Sequence, residues 1–313
     1  TRPGKGVADA MTDPNGPNFL QPEPKGSPVQ EGSSSPDDVA FWTGGAVNFG
    51  STDRGAATNG VDFTTSGVSV GADKRLSNAL TLGLGVGYGH DSSDIGKMGS
   101  HSSATAYNIA LYASLRPSDA TYIDTLIGYQ WLDFDARRYV TADGGRVTGS
   151  RNGKQAFASV AVGYEHDNGS MRLTPYGRLD LARAQLDGYT EHGDSTYALD
   201  YRGQNVRTST GALGLRAEFR LKRDFGMLVP RVRVEYQRDF QGSSDATMSY
   251  ADLLAGPLYR ANVGSTARNH ALLGIGAQAQ FNSGLTLRVE YQALFDAATH
   301  ANQSILLGIE KTF

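Results

Sequence analysis

A chain of 313 residues with 39% apolar side chains and a net charge of −3 can hold one large all-β domain or two smaller ones. The absence of cysteine excludes a disulfide scaffold and thiolate metal sites, and charge of mixed sign near neutrality argues against a nucleic-acid surface. No apolar run approaches the ~18 to 20 residues of a membrane helix, but a membrane barrel would show only diluted alternation.

Residues 1–38 hold seven of the eleven prolines and the run Gly32-Ser33-Ser34-Ser35-Pro36, a linker composition unable to bury a core. Val7 to Thr12 is its one candidate for a turn of helix, ended by Pro14. Fully extended, this stretch reaches on the order of 120 Å, several times a hydrocarbon core of ~30 Å, so it can thread a pore. With Thr1 at its start and no signal-peptide plan, the chain is expected to be the carboxy-terminal piece of something longer.

From Val39 onward, apolar residues recur at every second position. The first strand, about Val39 to Gly50, puts Phe41, Thr43, Val47 and Phe49 on one face; the second, about Asp62 to Arg75, puts Val68, Val70 and Ala72 there. The third is the cleanest, with Leu80, Leu82, Leu84, Val86 and Tyr88 alternating with Thr81 and Gly83, Gly85, Gly87 and Gly89. Apolar rows continue at Tyr107 to Leu115, Ile123 to Trp131, Ala158 to Tyr164, Leu173 to Leu181, Leu213 to Leu221, Leu228 to Tyr236, Ala271 to Phe281, Leu285 to Phe295 and Ile305 to Phe313, which makes twelve. Short turns at Ser77-Asn78, Pro117-Ser118-Asp119, His166-Asp167-Asn168, Lys222-Arg223-Asp224 and Asn282-Ser283-Gly284 alternate with longer polar loops at about 51–61, 91–100, 137–150, 187–204 and 241–265; the last connection, 296–302, is shorter.

Strands of ~10 residues with aromatics at the ends of their apolar rows favour a transmembrane barrel over a soluble sandwich. The pattern predicts an all-β fold: a twelve-stranded antiparallel up-and-down barrel of the outer-membrane type, residues 39–313, preceded by the linker of residues 1–38. The polar face then lines the lumen, with Arg172, Arg178, Asp180, Arg216, Glu218, Arg220, Arg231, Arg233, Glu235, Arg288, Glu290 and Glu310 as lining candidates. Mixed signs suit a hydrated channel or one that holds a polypeptide, and the same residues could simply pair to hold the barrel's shape. Glycine on the third strand permits close packing or widens the bore.

The order and spacing of several short pieces resemble the translocator domain of monomeric autotransporters, the type V secretion barrels. They are Gly67-Val68-Ser69-Val70-Gly71-Ala72-Asp73-Lys74-Arg75-Leu76, Leu82 to Gly89, Pro175-Tyr176, Asp187-Gly188-Tyr189-Thr190-Glu191 and the ending Gly308-Ile309-Glu310-Lys311-Thr312-Phe313. The resemblance covers residues 39–313. It implies an outer-membrane barrel that helps export and anchors its own amino-terminal passenger. The implied partners are the barrel-assembly machinery and the lipid and lipopolysaccharide of a Gram-negative outer membrane, with the barrel itself monomeric. Gly308, Ile309 and Phe313 would carry the assembly signal. In three places the chain departs from the family pattern: Gly26 to Pro36 is too rich in Gly, Ser and Pro for the lumen helix usual before the first strand, the Asn-Asn junction of the subgroup that cleaves its passenger inside the barrel is absent, and Lys311 stands where an aromatic is usual.

No cofactor, metal or catalytic site is expected. The six histidines form no H-x-x-x-H pair, and neither a G-x-S-x-G elbow nor a phosphate loop occurs. The one rim pair that could serve an outer-membrane hydrolase is His90-Asp91. A free-standing porin or adhesin with ligand-binding surface loops is the alternative to a translocator.

Overall fold

The computed structural model describes residues 39–52, 60–193, 196–241, 243–251, 258–264, 268–296 and 302–312. The linker with its helical candidate at Val7 to Thr12, the residue Phe313, and parts of the loops at 51–61, 187–204, 241–265 and 296–302 lie outside them.

Twelve long strands form the wall: β1 (Val39–Thr52), β2 (Val61–Arg75), β3 (Leu80–Ile95), β4 (Ser100–Ser118), β5 (Thr121–Tyr139), β6 (Arg146–Tyr164), β7 (Met171–Leu186), β8 (Gln204–Phe219), β9 (Gly226–Asp239), β10 (Asn269–Phe281), β11 (Leu285–Asp296) and β12 (Asn302–Thr312). Each pairs antiparallel with its neighbours in sequence, and β1 closes on β12 from Ala40 opposite Thr312 to Phe49 opposite Gln303. Closure leaves no strand edge, so the wall satisfies its own backbone hydrogen bonds without water.

The side chains show which solvent lies outside. Leu213 is 70% exposed, Ile127 59% and Leu307 58%, whereas Glu235 on the inner face is 1% exposed. A water-soluble barrel would have the reverse arrangement; this one presents its apolar row to lipid. Exposed aromatics sit toward both ends of the row. Tyr88, Tyr107 and Trp131 are successive cross-strand partners at the end away from the short turns, while Phe41, Tyr164 and Phe219 sit at the turn end. Lys311, on the outward row, donates to the carbonyl of Ser283 in the last short turn.

Two expected loops are largely strand. Most of 91–100 belongs to β3 and β4, which turn only at 96–99, and most of 137–150 belongs to β5 and β6, which turn at 140–145. The hydrophobic face switches there. Beyond Trp131 the outward positions become Asp133 and Asp135, while the inward Ala104, Ala106, Leu132, Phe134, Ala184, Leu186 and Val206 form a buried apolar cluster. Where water replaces lipid outside, the interior becomes the only dry place, so the alternation continues with its sense reversed. The loops at 187–204 and 241–265 also carry strands. Tyr189–Thr190, Leu199–Tyr201, Ser243–Tyr250 and Tyr259–Gly264 form a separate four-stranded antiparallel sheet, and His192–Gly193 pairs with β6 at Val147 and Thr148.

The short turns are fixed locally. In the β6–β7 turn Asp167 accepts the Gly169 amide at 2.8 Å and Asn168 accepts that of Met171 at 2.8 Å. Gly169 has φ +89, a conformation that suits glycine.

Many inward glycines face an inward aromatic on the neighbouring strand. Trp42 stands opposite Gly71, Tyr112 opposite Gly83, Tyr122 opposite Gly163, Phe157 opposite Gly128 and Tyr176 opposite Gly214. A Cβ on Gly83 would lie 2.1 Å from the Tyr112 ring and one on Gly214 2.3 Å from that of Tyr176. These glycines let the rings lie flat along the wall, which favours the packing role over a widened bore.

Candidate functional site: the barrel interior

The inward rows of β7 to β11 carry most of the charged residues. At their centre the Glu235 carboxylate accepts from Tyr176 Oη at 2.5 Å, Arg178 Nη2 at 2.9 Å and Gln237 Nε2 at 2.5 Å. Arg178 also donates through Nε to Asp180 at 2.8 Å, and the other Asp180 oxygen accepts from Ser159 at 2.6 Å. The Arg216 guanidinium lies over the Tyr176 ring, 5.7 Å from its centroid. A second group joins β9, β10 and β11: Arg231 pairs with Glu290 at 2.5 Å, Arg233 stands 4.0 Å from the same carboxylate, and Gln292 donates to it at 2.8 Å. Arg288 donates to Gln278 at 3.1 Å.

Glycine makes this crossing possible. Gly274 and Gly276 on β10 lie between the arginines of β9 and Glu290 of β11, and a Cβ on Gly274 would come within 2.8 Å of the Glu290 carboxylate. Without side chains there, oppositely charged groups two strands apart can meet. Charge-assisted pairs of this kind, each with further hydrogen bonds, offset the cost of removing the charges from water.

The twelve expected lining residues divide by height. Arg178, Asp180, Arg216, Arg231, Arg233, Glu235, Arg288 and Glu290 occupy the inner wall of β7 to β11. Glu218 is opposite Arg172 and Arg231 in register, and Glu310 is opposite Trp42 and Thr286. Arg172 and Arg220 reach the turn-side rim instead. There Arg172 binds Asp167 through Nε at 3.2 Å and approaches Glu165 through Nη1 at 3.8 Å, while Arg220 donates to Asp167 at 3.0 Å; Arg116 meets Glu165 at 3.4 Å. Partial desolvation would raise the Asp167 carboxyl, yet bonds from Arg220, the Gly169 amide and Arg172 hold it down at about 2. Of the expected assembly residues, Ile309 is exposed on the outward row, Gly308 lies inward opposite Arg288, and Phe313 is outside the described residues.

The sequence reading missed two constellations. On the β1–β4 wall Trp42 Nε1 donates to Tyr112 Oη at 2.5 Å, and Tyr112 donates to Asp73 at 2.9 Å. At the far end Arg138 clasps Glu191 through Nε at 2.9 Å and Nη2 at 2.5 Å, and Glu191 also accepts the Leu199 amide at 3.0 Å. Beside them Tyr189 and Tyr201 stack at 4.7 Å, and burial pushes the Tyr189 phenol up to about 12. The signal for Asp73 and Tyr112 was present, since both fall on the polar face; Arg138 and Glu191 were hidden in stretches expected to be loop.

His90 and Asp91 point to opposite faces of β3. Asp91 is buried inside and accepts from Thr65 at 2.6 Å and Ser93 at 3.0 Å, while His90 contacts Thr105 at 3.3 Å on the outer face. They cannot act as a dyad. Among the described residues no group of three His, Asp or Glu side chains could hold a metal ion.

The Autotransporter beta-domain family matches residues 41–292. The chain belongs to that family. As an autotransporter β-domain it is an outer-membrane translocator of Gram-negative bacteria, and the even, closed barrel with an apolar exterior is the form such a domain requires. Esterase EstA of Pseudomonas aeruginosa is 25% identical over 217 residues, 67% of this chain and 32% of the esterase. An extracellular serine protease of Serratia marcescens is 23% identical over 279 residues, 88% of this chain and 26% of the protease. The chain thus spans about a third or less of the length of these curated relatives. Among solved structures, the translocator domain of the autotransporter NalP from Neisseria meningitidis has the same fold, with a TM-score of 0.73 at 18% identity over 90% of both chains.

Proposed function

We propose that this barrel exports and then anchors its own amino-terminal passenger, with residues 1–38 as the linker and residues 39–313 as the translocator. The observation that carries the reading is the inverted barrel: apolar outside, and inside a wall of paired Arg, Asp and Glu groups that polypeptide amides and carbonyls can exchange for water. Mixed charge holds an extended chain without binding it tightly, because the central wall groups, Arg178, Asp180, Glu235, Arg231 and Glu290, are already paired with one another. The energy for export would come from passenger folding or binding outside the cell.

On this reading the barrel performs no catalysis, and any hydrolysis of the kind named for EstA or the Serratia protease belongs to the passenger. The lining residues of β7 to β11 shape the passage, and Gly308, Ile309 and Phe313 present the final strand to the barrel-assembly machinery.

The test is a small epitope-tagged domain fused ahead of Thr1 behind a signal peptide, scored by protease accessibility on intact cells. Exposure that depends on residues 39–313 is expected. A barrel that assembles while the tag stays periplasmic, even with a lengthened linker, would overturn the export reading in favour of a porin or adhesin.

A further inference from the structure

Four consecutive strands, β6 to β9, carry an exposed, outward-facing base just beyond the lipid-facing row at the end away from the short turns: Lys154, Arg183, Arg207 and Arg238; Arg137 of β5 and Arg146 of β6 face the same way further out. Arg183 and Arg207 are direct cross-strand partners, Lys154 is opposite Trp131, and Arg238 is opposite Gly211. Among the described residues, none of the four takes part in an ion pair. Like charges directly opposite on one face of a sheet repel, so the Arg183–Arg207 pair costs stability unless an anion lies between the two groups. Exposed aromatics bracket the patch. Trp131 is 49% exposed on one side and Phe240 56% on the other, with the Phe240 ring against Gly211.

The placement is one-sided. At the same end of β2 and β3 the titratable outward positions are Asp62, His90 and Asp94, and Asp94 is held by His101 at 2.9 Å. The acids near the basic patch in register, Asp133 and Asp187, bind none of its four groups. Aromatics mark the depth of the membrane interface, so the four bases lie where the headgroups of the outer leaflet begin.

We propose that Lys154, Arg183, Arg207 and Arg238 form a binding site for the phosphate groups of a phosphorylated glycolipid in the outer leaflet. The inference rests on the outer-membrane placement of the barrel. Guanidinium forks bind phosphate through paired, charge-assisted hydrogen bonds, and the lipid's acyl chains can lie along Leu179, Leu181 and Leu213 below. Such a lipid relieves the Arg183–Arg207 repulsion and seats this side of the barrel at a fixed depth.

The experiment uses the full chain folded in detergent micelles, offered bisphosphorylated lipid A, dephosphorylated lipid A or inorganic phosphate, with bound lipid counted by native mass spectrometry. The phosphorylated lipid should bind and the dephosphorylated one should not. An R183Q/R207Q variant should bind on the order of 30-fold more weakly, and R183K/R207K, which keeps the charge but loses the fork, should fall between it and the parent. Equal binding of both lipids, or an unchanged R183Q/R207Q variant, would overturn the site; competition by inorganic phosphate at lipid concentrations would overturn the glycolipid as its ligand. Folded migration of each variant on unboiled gels checks that the barrel is intact. Surface exposure of the fused tag in the same variants keeps a failure here separate from a failure of the export reading.

Discussion

At the scale of single residues, the interior depends on carboxylates that serve several donors at once. Glu235 accepts from Tyr176, Arg178 and Gln237 while almost fully buried. Removing it leaves Arg178 with Asp180 alone and strands the Tyr176 hydroxyl beside an arginine. Breaking one partner of a buried pair typically costs ~3 to 5 kcal/mol, whereas a neutral isostere that keeps the hydrogen bonds costs less. Glu235→Ala should therefore lower the urea midpoint of the barrel in lipid vesicles well below that of Glu235→Gln, with both below the parent. Equal midpoints for all three would remove Glu235 from the groups that hold the wall. Its neighbours in this network were legible as a polar row, because position parity alone puts Arg231, Arg233, Glu235 and Gln237 on one face. Which of them pair was not legible, since the contacts pass over glycines two strands away.

At the scale of elements, the unit is a pair of strands fitted by an aromatic and a glycine. Gly83 of β3 and Tyr112 of β4 are partners, and the Tyr112 ring covers the place a Cβ would take on Gly83. Gly83→Ala should destabilise the barrel by ~1 to 3 kcal/mol through overpacking. Adding Tyr112→Ala should abolish the extra cost of the alanine, so the cycle in urea unfolding should show coupling rather than additivity. Additive effects would mean that Gly83 serves the width of the bore instead. The strand ends are where the sequence was hardest to read. Membrane strands of about ten residues were visible because lipid outside demands Leu, Val and Tyr at alternate positions. Their continuation to 16 to 19 residues in β3 to β6 was not, because above the interface the apolar residues change face. Leu132 and Phe134 then point inward while Asp133 and Asp135 point out, and an unbroken strand reads as a polar loop. The same reversal hid Arg138 and its partner Glu191.

At the scale of the whole molecule, the twelfth strand is the one that closes the wall. β12 pairs with β11 on one side and with β1 on the other, joining residues more than 250 positions apart in sequence. Until it docks, β1 and β11 both present open edges in an apolar environment, where unpaired backbone groups cost several kcal/mol each. Assembly should thus be cooperative, and the terminal residues can matter for delivery to the membrane without mattering much for the finished wall. Register separates the two roles. Among the described residues the β1–β12 ladder runs from Phe49 opposite Gln303 to Ala40 opposite Thr312, and all of these pairs remain when Phe313 is removed. Deleting Phe313 should leave the purified chain able to refold in detergent, with the parental difference in migration between unboiled and boiled samples, while lowering the folded fraction in cell envelopes several-fold. Normal assembly in cells would remove the signalling role from Phe313. Failure of the purified variant to refold would show that the residue acts in the wall itself, as part of the closure rather than as a mark read before closure occurs.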